Sequence, residues 1–206
     1  MTAERVLSIA RGELGNKEDP AGSNRTKYGK WIGMDGQPWC MSFVQWCFAQ
    51  AGVPLPLRTA SCGALMRAAQ KAGQWVVRSI RPGDVVIYDF PGGAATDHCG
   101  IVETCTMSGV VAIEGNTSEA GSQSNGGQVC RKTRPVSLIV GVVRPKFKEE
   151  KRMDNTPSPA HKEGVEWAVK NGILTGDAGN LKLTEPVTRQ QFCTMLYRYA
   201  NRKGMK

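Results

Sequence analysis

The hydrophobic period of this chain changes near residue 73, and that change constrains the fold more than any other feature. Before it, apolar residues recur at helical spacing. Val6, Leu7, Ala10 and Leu14 share one face of a segment that stops at Gly15. Phe43, Val44, Cys47, Phe48 and Ala51 share a face of a second segment, over 39–51, closed by Gly52. A third runs from Ser61, a side chain suited to capping, to Ala72. Residues 16–38, rich in Gly, Asn, Asp and Pro, read as a long loop. Beyond the change come short β-rich runs at Trp75–Val77, Val85–Tyr88, Gly100–Glu103, Val110–Ile113 and Leu138–Val143, separated by turns such as Arg81-Pro82-Gly83-Asp84. Helices followed by closely spaced strands predict an α+β fold, with N-terminal helices packed on an antiparallel sheet.

A composition break divides the chain. Residues 146–158 are charged, then rich in Asn, Thr and Pro, and read as a linker. Residues 1–145 then form the main domain and 159–206 a small all-α module. In the module one helix begins at Ser158-Pro159 and ends at Asn171-Gly172. The next opens with Thr188 and Gln191 at capping-box spacing and Val187 and Phe192 at staple spacing, followed by an apolar stripe of Phe192, Met195, Leu196 and Tyr199. The chain holds no second copy of this helix pair.

Of the 206 residues, 40% are hydrophobic and 22% charged, the balance of a soluble globular protein, and no apolar run approaches a membrane span. The first fifteen residues carry Glu4, Arg5, Arg11 and Glu13 and lack an unbroken apolar core. No signal peptide is therefore expected, and synthesis in a cytoplasm is. The formal charge of +9 divides into +4 up to Pro145 and +5 from Lys146, so the short tail is disproportionately basic. The basic residues are scattered and form no aromatic-interleaved nucleic-acid motif. An anionic polymer, an anionic membrane surface or a plain solvated exterior remain. The seven cysteines are odd in number and irregular in spacing, with no Cys-x-x-Cys pair. That argues against a disulfide framework and a structural zinc site, and reads most of them as small buried hydrophobes.

One cysteine stands apart. Cys40, in Pro38-Trp39-Cys40-Met41-Ser42-Phe43, opens the best helix of the first half. A helix N-terminus carries partial positive charge, which lowers a thiol's pKa. His98, one of two histidines, precedes a β run in Asp97-His98-Cys99-Gly100-Ile101-Val102; the other, His161, falls beyond the linker. Glu114 and Asn116 end a later run and, two apart, face the same way. A thiol, an imidazole and an orienting polar group are the parts of a cysteine hydrolase. Alone each signal is ordinary: a helical cysteine is usually core, and Glu114-Gly115-Asn116 could be a turn. Their order and contexts favour the joint reading, with Glu114 preferred because a carboxylate also stabilises the imidazolium. Cys99, next to His98 on a strand, should point away from the imidazole. Backbone amides at the helix start would hold the oxyanion. Spacing does not decide whether Gln37 or Tyr28 adds a side-chain donor, and Trp39 reads first as packing, with lining a groove beside the thiol as the other reading.

These residues resemble the CHAP family of cysteine amidases and peptidases. The resemblance rests on Asn24-Arg25-Thr26-Lys27-Tyr28-Gly29-Lys30-Trp31, on Pro38 to Trp46, on Arg81 to Val86, on Asp97 to Val102 and on Ile113-Glu114-Gly115-Asn116, and spans nearly all of residues 1–145. It implies a papain-like fold and cleavage of a peptidoglycan amide by Cys40, with His98 as base and Glu114 or Asn116 orienting it. The cut would fall either at the muramoyl-alanine amide or within the peptide. Some members carry calcium in an Asp-rich loop before the nucleophile; here the loop immediately before Cys40 offers only Asp35, so no cofactor is expected.

The tail is similar to one S-layer homology repeat, through Val165-Glu166-Trp167-Ala168-Val169, Asn171 to Gly176 and Val187 to Phe192. That implies binding to an anionic secondary polymer of Gram-positive walls, with Trp167, Gly176 and Arg189 as contacts. Such repeats usually work in threes, so a homotrimer through this module is an expectation. The whole then reads as a phage or prophage endolysin, made without a signal peptide and released onto the wall. A non-catalytic wall-polymer-binding protein and a cysteine amidase or peptidase with another substrate are the alternatives.

Overall fold

The computed structural model describes residues 2–92, 95–120, 126–147, 155–177 and 179–201. Two compact units divide the chain, residues 1–149 and 150–206.

The first unit opens with α1 (Ala3–Gly12), capped by the Thr2 hydroxyl and burying Val6, Leu7 and Ala10. Within the stretch expected to be loop lies a short helix, α2 (Lys27–Ile32), started by the Thr26 side chain and stopped by left-handed Gly33. Six residues are too few for a periodic signal, and its stability comes from tertiary packing. α3 (Cys40–Ala51) buries Met41, Phe43, Val44, Cys47, Phe48 and Ala51 and ends at left-handed Gly52. α4 (Cys62–Lys71) is capped by Ser61, whose hydroxyl accepts from the Ala64 amide.

Six strands follow: β1 (Trp75–Val76), β2 (Val85–Tyr88), β3 (His98–Cys105), β4 (Gly109–Thr117), β5 (Gln128–Pro135) and β6 (Ile139–Val143). They form one antiparallel sheet in the order β1-β6-β2-β3-β4-β5. Alternation sorts their side chains onto two faces. Val85, Ile87, Cys99, Ile101, Ile113 and Val143 pack with the helices in the main core. Val86, Tyr88, Val102, Val110, Ala112 and Val142 form a smaller cluster with Phe90, Leu138 and Ile139. The unit is thus mixed α/β with helices on an antiparallel sheet, consistent with a papain-like fold. β5 is the strand that hydrophobicity does not announce; its Gln-Val-Cys-Arg-Lys-Thr-Arg-Pro sequence is mostly polar, and its register against β4 holds it.

In the second unit, a single 3-10 turn (Pro159–His161) leads into α5 (Lys162–Lys170), and α6 (Arg189–Ala200) follows. The Thr188–Gln191 capping box forms at α6 in both directions. Of the linker expected over 146–158, residues 148–154 lie outside the described residues.

Candidate active site

Cys40 is the first residue of α3, and the N-cap before it, Trp39, supplies no side-chain hydrogen bond. The opening amides of this twelve-residue helix therefore carry no capping side chain, and their partial positive charge lies at the thiol. His98 begins β3 opposite Tyr88 of β2. It is fully buried, stacked on the Tyr88 ring at 6.0 Å and edge-on to Phe90 at 5.9 Å. Its Nε2–H donates to Glu114 Oε2 at 3.1 Å, and Glu114 on β4 is likewise fully buried. That bond commits one ring nitrogen. The other, Nδ1, is buried and makes no hydrogen bond of ordinary geometry, while the ring as a whole interacts with the Cys40 thiol.

Glu114 has a second partner that spacing along the sequence does not reveal. Arg134 on β5, almost fully buried, donates through Nε to Oε1 at 3.0 Å and through Nη2 to Oε2. Its guanidinium also lies over the Phe90 ring at 5.0 Å. Three basic residues, Arg131, Lys132 and Arg134, crowd β5, and only register and reach single out the last.

These contacts set the charge states. Burial alone would lower the His98 pKa, but the Cys40 thiol and the Glu114 carboxylate outweigh it and raise it to about 9. Burial would raise that of Glu114, but His98 and Arg134 outweigh it and keep it low. The Cys40 thiol falls well below its ordinary value, through hydrogen bonds from Cys62 and Cys99 and then through His98, against the effect of burial. The His98 and Cys40 shifts both favour a thiolate–imidazolium pair, with the Glu114 carboxylate behind the ring.

The outcome for the remaining candidates is mixed. Asn116 is buried at the end of β4, with φ of +57°, where the β4–β5 register shifts. Gln37 is exposed and, with Pro38, lines a groove of about 670 Å³ that Thr59, Ala60 and Ser61 close on the α4 side. Trp39 and Tyr28 are corrected. Both are buried, stacked on each other at 5.5 Å, and the Tyr28 hydroxyl donates to Glu13 Oε2, so neither lines a groove. Most of the cysteines are buried, as expected, and only Cys105 and Cys193 are exposed; Cys62 and Cys99 lie beside the Cys40 thiol. Cys99 does turn to the sheet face opposite His98, and that turn is what brings its sulfur to Cys40.

In the second unit Trp167 is partly exposed on α5, 6.3 Å from the Tyr199 ring, and Arg189 is exposed at the start of α6. Gly176 has φ of +67°, and a Cβ there would lie 2.3 Å from the Asn180 carbonyl oxygen, so glycine is required for backbone reasons alone.

Residues 32–116 match the family described as the CHAP domain, a span that contains Cys40, His98, Glu114 and Asn116. No curated protein matches the chain. Among solved structures, the endolysin LysIME-EF1 is similar at 18% identity and a TM-score of 0.44, over 87% of this chain and 89% of its own. Ly7917 is similar at 15% identity and a TM-score of 0.42, over 70% of this chain and 63% of its own. An NLP/P60-family protein of Staphylococcus aureus is similar at 14% identity and a TM-score of 0.37, over 71% of this chain and 42% of its own. The CHAP match thus spans the thiol, the imidazole and the carboxylate described above.

Proposed function

We propose that this chain hydrolyses an amide bond of peptidoglycan through a thioester formed on Cys40. The observation that carries the reading is the buried imidazole of His98, with Nε2 held by Glu114 and Nδ1 left for the thiol. The Cys40 thiolate attacks the amide carbonyl, and the uncapped amides opening α3 take the oxyanion. The His98 imidazolium gives its proton to the leaving amine; as neutral base it then activates the water that cleaves the thioester. Glu114 fixes the ring and stabilises its charged form, and Arg134 fixes Glu114. Glu114 is favoured over Asn116 as the orienting group because its bond to Nε2 is in place. The groove beside Gln37 and Ser61 is where the peptide strand would lie.

The second unit serves, in this reading, to hold the enzyme on an anionic secondary wall polymer of a Gram-positive cell, as in an endolysin made in a host cytoplasm and released onto the wall. Its excess of basic residues favours this role. Trp167 and Arg189 are the accessible contacts. Partial exposure of Val187, Phe192, Leu196 and Tyr199 on and beside α6 favours self-association of this unit, with a trimer as the expected state. Purified Gram-positive walls test both halves. Wild type should clear them and Cys40→Ala should bind without clearing; clearing by the variant rejects the mechanism. A monomeric mass for the full chain at working concentration rejects the trimer.

A further inference from the structure

Two further thiols stand beside the nucleophile. The Sγ atoms of Cys40, Cys62 and Cys99 all lie within 4.8 Å of one another, and all three residues are buried. They arrive from three elements: Cys40 and Cys62 are the first residues of α3 and α4, and Cys99 is the second residue of β3. Structural disulfides are made by pairs; three thiols converging on one point is the donor pattern of a soft cation.

We propose that Cys40, Cys62 and Cys99 form a three-thiol site for Zn2+ or a similar thiophilic ion, and that its occupancy silences the nucleophile. Sulfurs each about 2.3 Å from a tetrahedral ion lie roughly 3.8 Å apart, so the thiols need close by only about 1 Å. The fourth position is left to a solvent ligand, as in zinc sites with three protein donors. The bound ion displaces the remaining thiol protons to solvent. Entry is short: the groove runs past Gln37 and Pro38, just before Cys40, and past Ser61, next to Cys62. Silencing rests on Cys40 being the nucleophile; binding does not.

The test therefore reads binding first. The full chain, reduced and freed of metal, is titrated with Cd2+ alone, and thiolate-to-metal absorption is followed. One equivalent should saturate it. Alkylation of the same samples with iodoacetamide, mapped by mass spectrometry, should show Cys40, Cys62 and Cys99 protected together while the exposed Cys105 and Cys193 react as before. Cys62→Ala should weaken Cd2+ binding by about a hundredfold, judged against a melting curve that shows the variant folded. Zn2+ should also stop wall clearing reversibly, a chelator restoring it. Protection of Cys40 alone, or saturation with no change in Cys62→Ala, would mean ordinary binding to a thiol–imidazole pair and would overturn the proposal. A protein that binds one Cd2+ through all three thiols but never clears walls would keep the metal site and reject the hydrolase.

Discussion

Arg134 and Glu114 are joined by a two-pronged ion pair, Nε to Oε1 at 3.0 Å and Nη2 to Oε2, with both side chains almost wholly excluded from solvent. A lone buried carboxylate would protonate, and a neutral Glu114 would no longer stabilise a charged His98. Arg134 thus acts on the thiol through two intermediaries. Replacing it with Met leaves a buried carboxylate with one partner. The expected outcome is a loss of about 3–5 kcal/mol of stability, seen as an earlier denaturant midpoint, together with a lower kcat on walls. A variant that unfolds where wild type does would show the pair to be dispensable.

The pH profile of wall clearing carries the signature of the ion pair. Activity needs the Cys40 thiolate and the His98 imidazolium together. His98, raised to about 9, loses its proton as pH climbs through that value, so activity should fall on the alkaline side near pH 9. On the acid side the limb should lie well below an ordinary thiol's pKa, because Cys40 is depressed. Glu114→Gln removes the negative charge that supports the imidazolium, so the alkaline limb should move to lower pH. An unmoved limb in that variant would disconnect Glu114 from the titrating group.

Two glycines fix the geometry of the strands behind the site. A Cβ on Gly115 would sit 2.6 Å from Phe43 Cβ and 2.8 Å from the Trp39 ring, at the start of α3. A Cβ on Gly100 would sit 2.7 Å from Glu114 Cγ, a side chain clamped at both ends and unable to give way. Gly115→Ala should therefore cost about 1–3 kcal/mol by overpacking the α3–β4 contact. Gly100→Ala should cost a similar amount, since the added methyl presses on the held Glu114, and should in addition lower activity about tenfold or more. Thermal melts beside wall-clearing rates distinguish the two; equal effects on both quantities in both variants would refute the assignment.

The sequence made Cys40, His98 and Glu114 legible because each stands where a period begins or ends, and such boundaries survive in one dimension. α1, α3, α4 and five of the six described strands announced themselves through apolar repetition. What stayed hidden depends on register and reach. α2 is too short to show a period, and β5 is too polar. Arg134 looks like Arg131 until the sheet forms; then Arg131 pairs with Glu103 and Arg134 with Glu114. The thiol cluster is the sharpest case. Its members are separated by long stretches of chain, so no Cys-x-x-Cys spacing marks them, yet two helix starts and a strand start converge on one point. Trp39 shows the converse: it adjoins the nucleophile along the chain, yet it lies in the core stacked on Tyr28, not in the groove.

The central claim is that Cys40 breaks an amide of the wall. Purified Gram-positive peptidoglycan is incubated with wild type and with Cys40→Ala, each shown to be folded, and the newly freed amines are identified and quantified by mass spectrometry. The account predicts one new amine from wild type, L-alanine's for an amidase and another for an endopeptidase, and none above background from the variant. Equal release by both proteins would contradict it.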